Sequence, residues 1–207
     1  MTPRKSHLTQ HLQALCWLTG ALLALAAGAC PARAQTATTR DDIVSQLGRF
    51  DTAPDLDLAA LRQKVTERSK SRSKVDFAPL NRSQVAPELL KLPSYLADIQ
   101  FDTDTPIVLP GSYQTVGRLA DALMHASLLP YSFLIVGHVE PTGRREANAI
   151  LSQRRADAIR DILVNTFKIS AKRLQSVGLG EEQLLDAAHP NAPINRQMQV
   201  VTVAKMP

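Results

Sequence analysis

Phe133-Leu134-Ile135-Val136-Gly137-His138-Val139-Glu140-Pro141-Thr142-Gly143, continuing through Asn148, Leu151-Ser152 and Arg155-Ala156, organises this 207-residue chain. Its first four residues are apolar without a break and end in β-branched side chains, the pattern of a short strand buried on both faces. After Glu140 a loop leads into a helical pattern over residues 144–166. With Asn148 set at 0° and about 100° per residue, Leu151, Ala158, Ile159 and Ile162 define an apolar stripe near about 320°, and Arg155 falls inside it at about 340°. Asn148 and Ser152 flank the arginine, and Arg154 lies nearer the edge. A guanidinium on an inner face is costly unless a carboxylate and other acceptors satisfy it. Glu140, just past the strand, is the acid at hand, and His138 alternates to its side. The pattern allows two readings: a structural Glu140–Arg155 ion pair, or a site for a ligand carrying both an ammonium and a carboxylate.

Outward from this stretch the pattern stays regular. Tyr95, Ala97, Ile99 and Phe101 alternate with Leu96, Asp98 and Gln100, as in a strand, and Asp102-Thr103-Asp104-Thr105-Pro106 ends it. Ser112 is placed to cap a helix in which Val116, Leu119, Ala120 and Leu123 share a face, stopping before Pro130. Residues 173–178 read as a strand running into Gly178-Leu179-Gly180-Glu181, and Met198 to Val203 as a last strand. The order β-α-β-α-β-β predicts an α+β domain, a mixed sheet with helices packed on one face.

The ends differ. Arg4 and Lys5 precede the apolar run 14–29, and Ala32-Arg33-Ala34 offers a small-x-small cleavage site, so residues 1–34 are expected to be a signal peptide. That run is shorter than the roughly 20 residues that span a bilayer. Cys30, behind Ala27-Gly28-Ala29, is the alternative lipidated start, and a membrane anchor is expected only if it is used. Without Arg4, Lys5 and Arg33 the balance is 21 basic against 19 acidic residues, so the whole-chain excess of +5 carries no nucleic-acid footprint. The remainder holds no Cys, which leaves neither disulfides nor thiolate metal sites. Residues 35–91 carry the run Ser69-Lys70-Ser71-Arg72-Ser73-Lys74 and only short apolar patches. They are expected to be a flexible linker with short helices near 41–47 and 56–68, able to meet other envelope proteins.

Enzymatic signatures are missing. His138-Val139-Glu140 begins a zinc deaminase pattern, but the P-C-x-x-C half is absent. No G-x-S-x-G, P-loop or dinucleotide fingerprint occurs, and Gly178-Leu179-Gly180 reads as a turn. No cofactor, metal or catalysis is expected.

G-H-V-E-x-x-G-x-x-x-x-N-x-x-L-S-x-x-R-A, then G-L-G-E, then Asn195-Arg196, resembles the OmpA-like C-terminal domain over residues 92–207. The resemblance implies a βαβαββ sandwich that binds the peptidoglycan stem peptide without covalent chemistry, in the periplasm or at the outer membrane of a Gram-negative cell. It assigns Glu140 and Arg155 to the two charges of diaminopimelate, with Asn148, His138, Gly143, Leu151, Ser152, Asn195 and Arg196 around them. Three positions depart from the family pattern: Glu140 stands for Asp, Val139 for Thr, and Gln197 for Arg. They make a fold-sharing protein-interaction scaffold the alternative.

Overall fold

The structure, a computed structural model, describes residues 38–50, 56–70 and 83–206. The expected signal peptide and Cys30 lie outside them. Among the described residues, β1 (Ser94–Ala97), β2 (Tyr131–His138), β3 (Leu174–Gly180) and β4 (Met198–Lys205) form one sheet in the order β1-β4-β2-β3. Strands β2 and β3 are parallel, and β4 runs antiparallel to both β1 and β2. The α-helices are α1 (Arg40–Leu47), α2 (Leu58–Lys70), α3 (Tyr113–Leu123) and α4 (Arg145–Asn165). The α+β order read from the sequence is observed.

Alternation along β2 divides the core in two. Phe133 and Ile135 point to one side, with Val200, Met198 and Leu174 of the neighbouring strands, and meet α1, α3 and α4. Leu134 and Val136 point to the other, with Val177, Leu179 and Val201, and are covered by Leu61 and Val65 of α2 and by Val85, Ala86 and Leu89. Helices therefore cover both faces, and not one as the sequence suggested. The crossover helices take the expected face, joined there by α1, while the rest of the N-terminal segment, α2 and residues 85–89, takes the other.

This segment is where the linker expectation parts from the structure. Helix α1 opens with a reciprocal cap, in which Asp42 N donates to Thr39 Oγ1 at 3.2 Å and Thr39 N donates to the Asp42 carboxylate at 2.9 Å. It buries Ile43 and Leu47 completely, and Thr202 Oγ1 of β4 donates to Leu47 O at 2.8 Å. On α2, Leu61 and Val65 are only 4% and 3% exposed. Their sparse apolar residues suffice because the sheet supplies the larger apolar surface.

Helix α4 lies almost on the sheet. A Cβ on Gly137 would stand 2.2 Å from Ser152 O, and one on Gly178 2.1 Å from Gln153 N. No side chain fits there, so these glycines set the approach and are more than a turn. The buried face of α4 is accordingly made of small residues, Ala149, Ser152 and Ala156, with Asn148, Ile159 and Leu163. On the same angular scale its centre lies near about 50°, not 320°. Leu151, Ile162 and Arg155 are thus half-buried at the rim. Reading the large aliphatics as the contact face placed Arg155 too deep, because contact this close selects small side chains.

Strand β1 is shorter than expected. After Ala97 the chain leaves the sheet, rejoining itself only through a bridge between Phe101 and Val108. Ser112 does not cap α3. Its Oγ accepts from Gln100 N at 2.7 Å, fastening the departing segment to the start of that helix. Residues 99–105 thereby arch over the C-terminal end of β2.

Candidate functional site

Under this arch lies a cleft of about 250 Å³, floored by Val139, Asn148 and Leu151 and carrying Glu140, Arg155 and Arg196 on its walls. Phe101, Gln100, Thr103 and Asp104 come from the arch, and Thr142 from the loop before α4. The end of β2, the rim of α4 and the entry to β4 so converge on one small, charged space.

The two charges proposed from the sequence both line it but do not pair with each other. Arg155 Nε donates to Thr105 O at 2.9 Å and Nη2 to Asp102 O at 3.3 Å, while the guanidinium lies 4.8 Å from the centre of the Phe101 ring. Glu140 instead accepts from Arg196 Nη1 at 3.1 Å. The structural Glu140–Arg155 pair is therefore not what forms. Burial pulls the Arg155 guanidinium below its ordinary pKa, and the charges of Asp104 and Glu140 pull it back; it stays cationic at neutral pH. Main-chain carbonyls fix its direction without neutralising it. Nη1 has no hydrogen bond to any described residue.

Asn148 is buried and serves as a brace. Its Oδ1 accepts from Thr142 Oγ1 at 3.0 Å, and its Nδ2 donates to Glu181. Gly143, at φ +78, supplies the left-handed residue that turns this loop toward α4.

Three other residues drawn from the resemblance do not reach the cleft. His138 is buried on the opposite face, with Nδ1 3.1 Å from Gln183 O and Nε2 3.2 Å from the Gln199 side-chain amide. Burial lowers its pKa, with those contacts opposing. Ser152 Oγ accepts from Gly180 N at 2.8 Å and donates to Ala149 O at 2.8 Å, locking α4 to β3. Asn195 donates to Asp186 O, His189 O and Pro190 O at 2.9, 2.9 and 3.0 Å and accepts from Asp186 N, so it shapes the loop that presents Arg196. They hold the walls.

Behind the brace is a junction the sequence did not disclose. Arg145, 4% exposed, pairs through Nε and Nη2 with the fully buried Glu182 carboxylate at 2.8 and 2.7 Å. Arg68 of α2 reaches the same carboxylate at 3.8 Å. Gln183 exchanges two hydrogen bonds with the Ala86 main chain, at 2.7 and 3.1 Å. Nothing in local periodicity marks residues 181–183 as buried. The sequence reading touched them only at Glu181, the last residue of the G-L-G-E motif.

The architecture defines an α+β domain whose charged cleft sits at the end of its central strand. The family model described as OmpA family matches residues 100–197, so the chain carries an OmpA family domain. It is 33% identical over 110 residues to outer membrane porin F of Pseudomonas aeruginosa, covering 52% of this chain and 31% of the porin. With the peptidoglycan-associated lipoprotein of Brucella melitensis it shares 30% over 105 residues, covering 51% of this chain and 61% of the lipoprotein. The chain thus spans less than two thirds of either relative. Among solved structures, the peptidoglycan-associated lipoprotein from Burkholderia pseudomallei aligns over 56% of this chain and 91% of its own, at 25% identity and a TM-score of 0.40. The cell wall anchor of the T6SS from Pseudomonas aeruginosa aligns over 54% and 80%, at 24% identity and a TM-score of 0.43.

Proposed function

We propose that this domain binds peptidoglycan without catalysis and tethers a cell-envelope protein to the wall from the periplasmic or outer-membrane side. The ligand is the diaminopimelate residue of the stem peptide. The observation that carries the reading is Arg155: a cation lining the cleft, oriented by neutral carbonyls, whose Nη1 makes no hydrogen bond to a described residue. A carboxylate docked there gains charge-assisted hydrogen bonds without first breaking an ion pair. Glu140, steadied by Arg196, receives the ammonium on the facing wall. The name of the Brucella melitensis relative, peptidoglycan-associated lipoprotein, supports peptidoglycan as the partner.

Co-sedimentation with purified sacculi tests it. The wild-type chain pellets with the sacculi at moderate salt, and Arg155→Ala stays in the supernatant. If both remain soluble, the domain does not bind the wall. The scaffold reading rests on a specific feature, the Glu140 carboxylate already occupied at 3.1 Å by Arg196, and on the hydroxyl missing at Val139. On that reading Arg155→Ala has no effect on sacculi, and the contacts of the domain are with other envelope proteins.

A further inference from the structure

The cleft does not stop at Leu151. A second concavity of about 300 Å³ shares Asp104, Asn148 and Leu151 with it and adds Arg144, Ile150 and Arg154 from the outer side of α4. Asp104 is the ridge between the two, held at φ 54 in the arch, with its carboxylate 3.0 Å from Arg144. That contact draws Arg144 along one wall. Opposite, Arg154 makes no hydrogen bond or ion pair with any described residue. Ile150, 49% exposed, provides an apolar floor. The second concavity therefore combines an unspent guanidinium with a surface fit for a peptide's aliphatic atoms, directly beside a site for a charged residue. Its net charge calls for an anion.

We propose that Arg154 forms a second anion subsite, which takes the free α-carboxylate of the γ-linked D-glutamate preceding diaminopimelate in a stem peptide. This rests on the peptidoglycan reading and extends it from one residue of the ligand to two. Because the glutamate is joined through its side chain, its α-carboxylate stays ionised next to the peptide bond. Envelopes that amidate this carboxylate would remove the charge that Arg154 reads.

Calorimetric titration of the full chain separates the possibilities, using free diaminopimelate, L-Ala-γ-D-Glu-diaminopimelate, and the same tripeptide with the glutamate α-carboxylate amidated. The wild type binds the acidic tripeptide about two- to fivefold more tightly than the amidated one, the range of an ion pair made by a solvent-exposed arginine. Arg154→Gln erases that difference while leaving diaminopimelate binding unchanged, and Arg154→Lys keeps part of it. The subsite alone is refuted if the wild type binds both tripeptides equally, or if Arg154→Gln weakens all three ligands alike. If the wild type binds none of them, the peptidoglycan reading falls together with the subsite.

Discussion

Two ionic regions lie on either side of the first turns of α4, and they handle charge in opposite ways. In the junction at Arg145, Glu182 and Arg68, the carboxylate is fully buried and answered by a bidentate guanidinium. In the cleft, Arg155 is turned by main-chain carbonyls and an aromatic ring, and its charge is left unneutralised by any direct pair. The charges of the first region answer one another; in the second, on the proposed reading, a ligand carboxylate answers Arg155. Asn148 stands between them, bonded to Glu181 on one side and to the cleft loop through Thr142 on the other. On the proposed reading, an arginine's partners, more than its depth, separate a structural role from a binding one.

The contrast is open to attack first at the junction. Glu182→Ala removes the bidentate carboxylate from the buried Arg145 guanidinium and should lower the unfolding free energy by about 3–5 kcal/mol, read from urea denaturation. A loss below about 1 kcal/mol would mean that water already reaches the pair. Leu61→Ala addresses the same side from α2, with an expected cost of about 2–4 kcal/mol. Were residues 56–70 a linker, the change would stay within about 0.5 kcal/mol.

His138 gives a smaller, pH-dependent effect. Its folded-state pKa lies below the ordinary value, so the unfolded chain takes up the proton first. Stability from this residue is whole above about pH 6.5 and declines as pH falls through that value toward the folded pKa, by at most about 1.4 kcal/mol per unit. His138→Gln should show a flatter stability profile between about pH 6.5 and 5; parallel profiles would show that the imidazole is not held neutral. Arg155→Gln should cost least in stability, about 1 kcal/mol or less, while removing wall binding. A large stability loss there would move Arg155 into the structural class and erase the distinction.

Much of the fold was legible because period and punctuation agreed: Phe133–Val136 as a buried strand, Val116 to Leu123 as an amphipathic helix, Pro130 as a stop. Of the candidate cleft, the sequence picked out Glu140 and Arg155 but not their pairing, and it also named His138, Ser152 and Asn195, which stay outside it. Glu140 and Arg155 were found by position, yet the partner of Glu140 proved to be Arg196, which the loop held by Asn195 brings across the sheet. Helix periodicity misjudged Arg155 because it counted large aliphatics, whereas Gly137 and Gly178 admit only small residues beneath α4. The role of α2 was hidden for a related reason. Its own pattern is weakly amphipathic, and the case for its burial lies in the alternate residues Leu134, Val136 and Val201 of the strands it covers.

The most direct test of the cleft's role replaces one carboxylate in the ligand and leaves the protein untouched. Stem peptides containing diaminopimelate and stem peptides containing lysine differ at this residue by a single carboxylate. Titrated into the wild-type chain, the diaminopimelate peptide should bind at least about tenfold more tightly, the worth of one charge-assisted pairing with Arg155. Equal affinity for the two peptides would contradict the assignment of Arg155 as the group that recognises the wall.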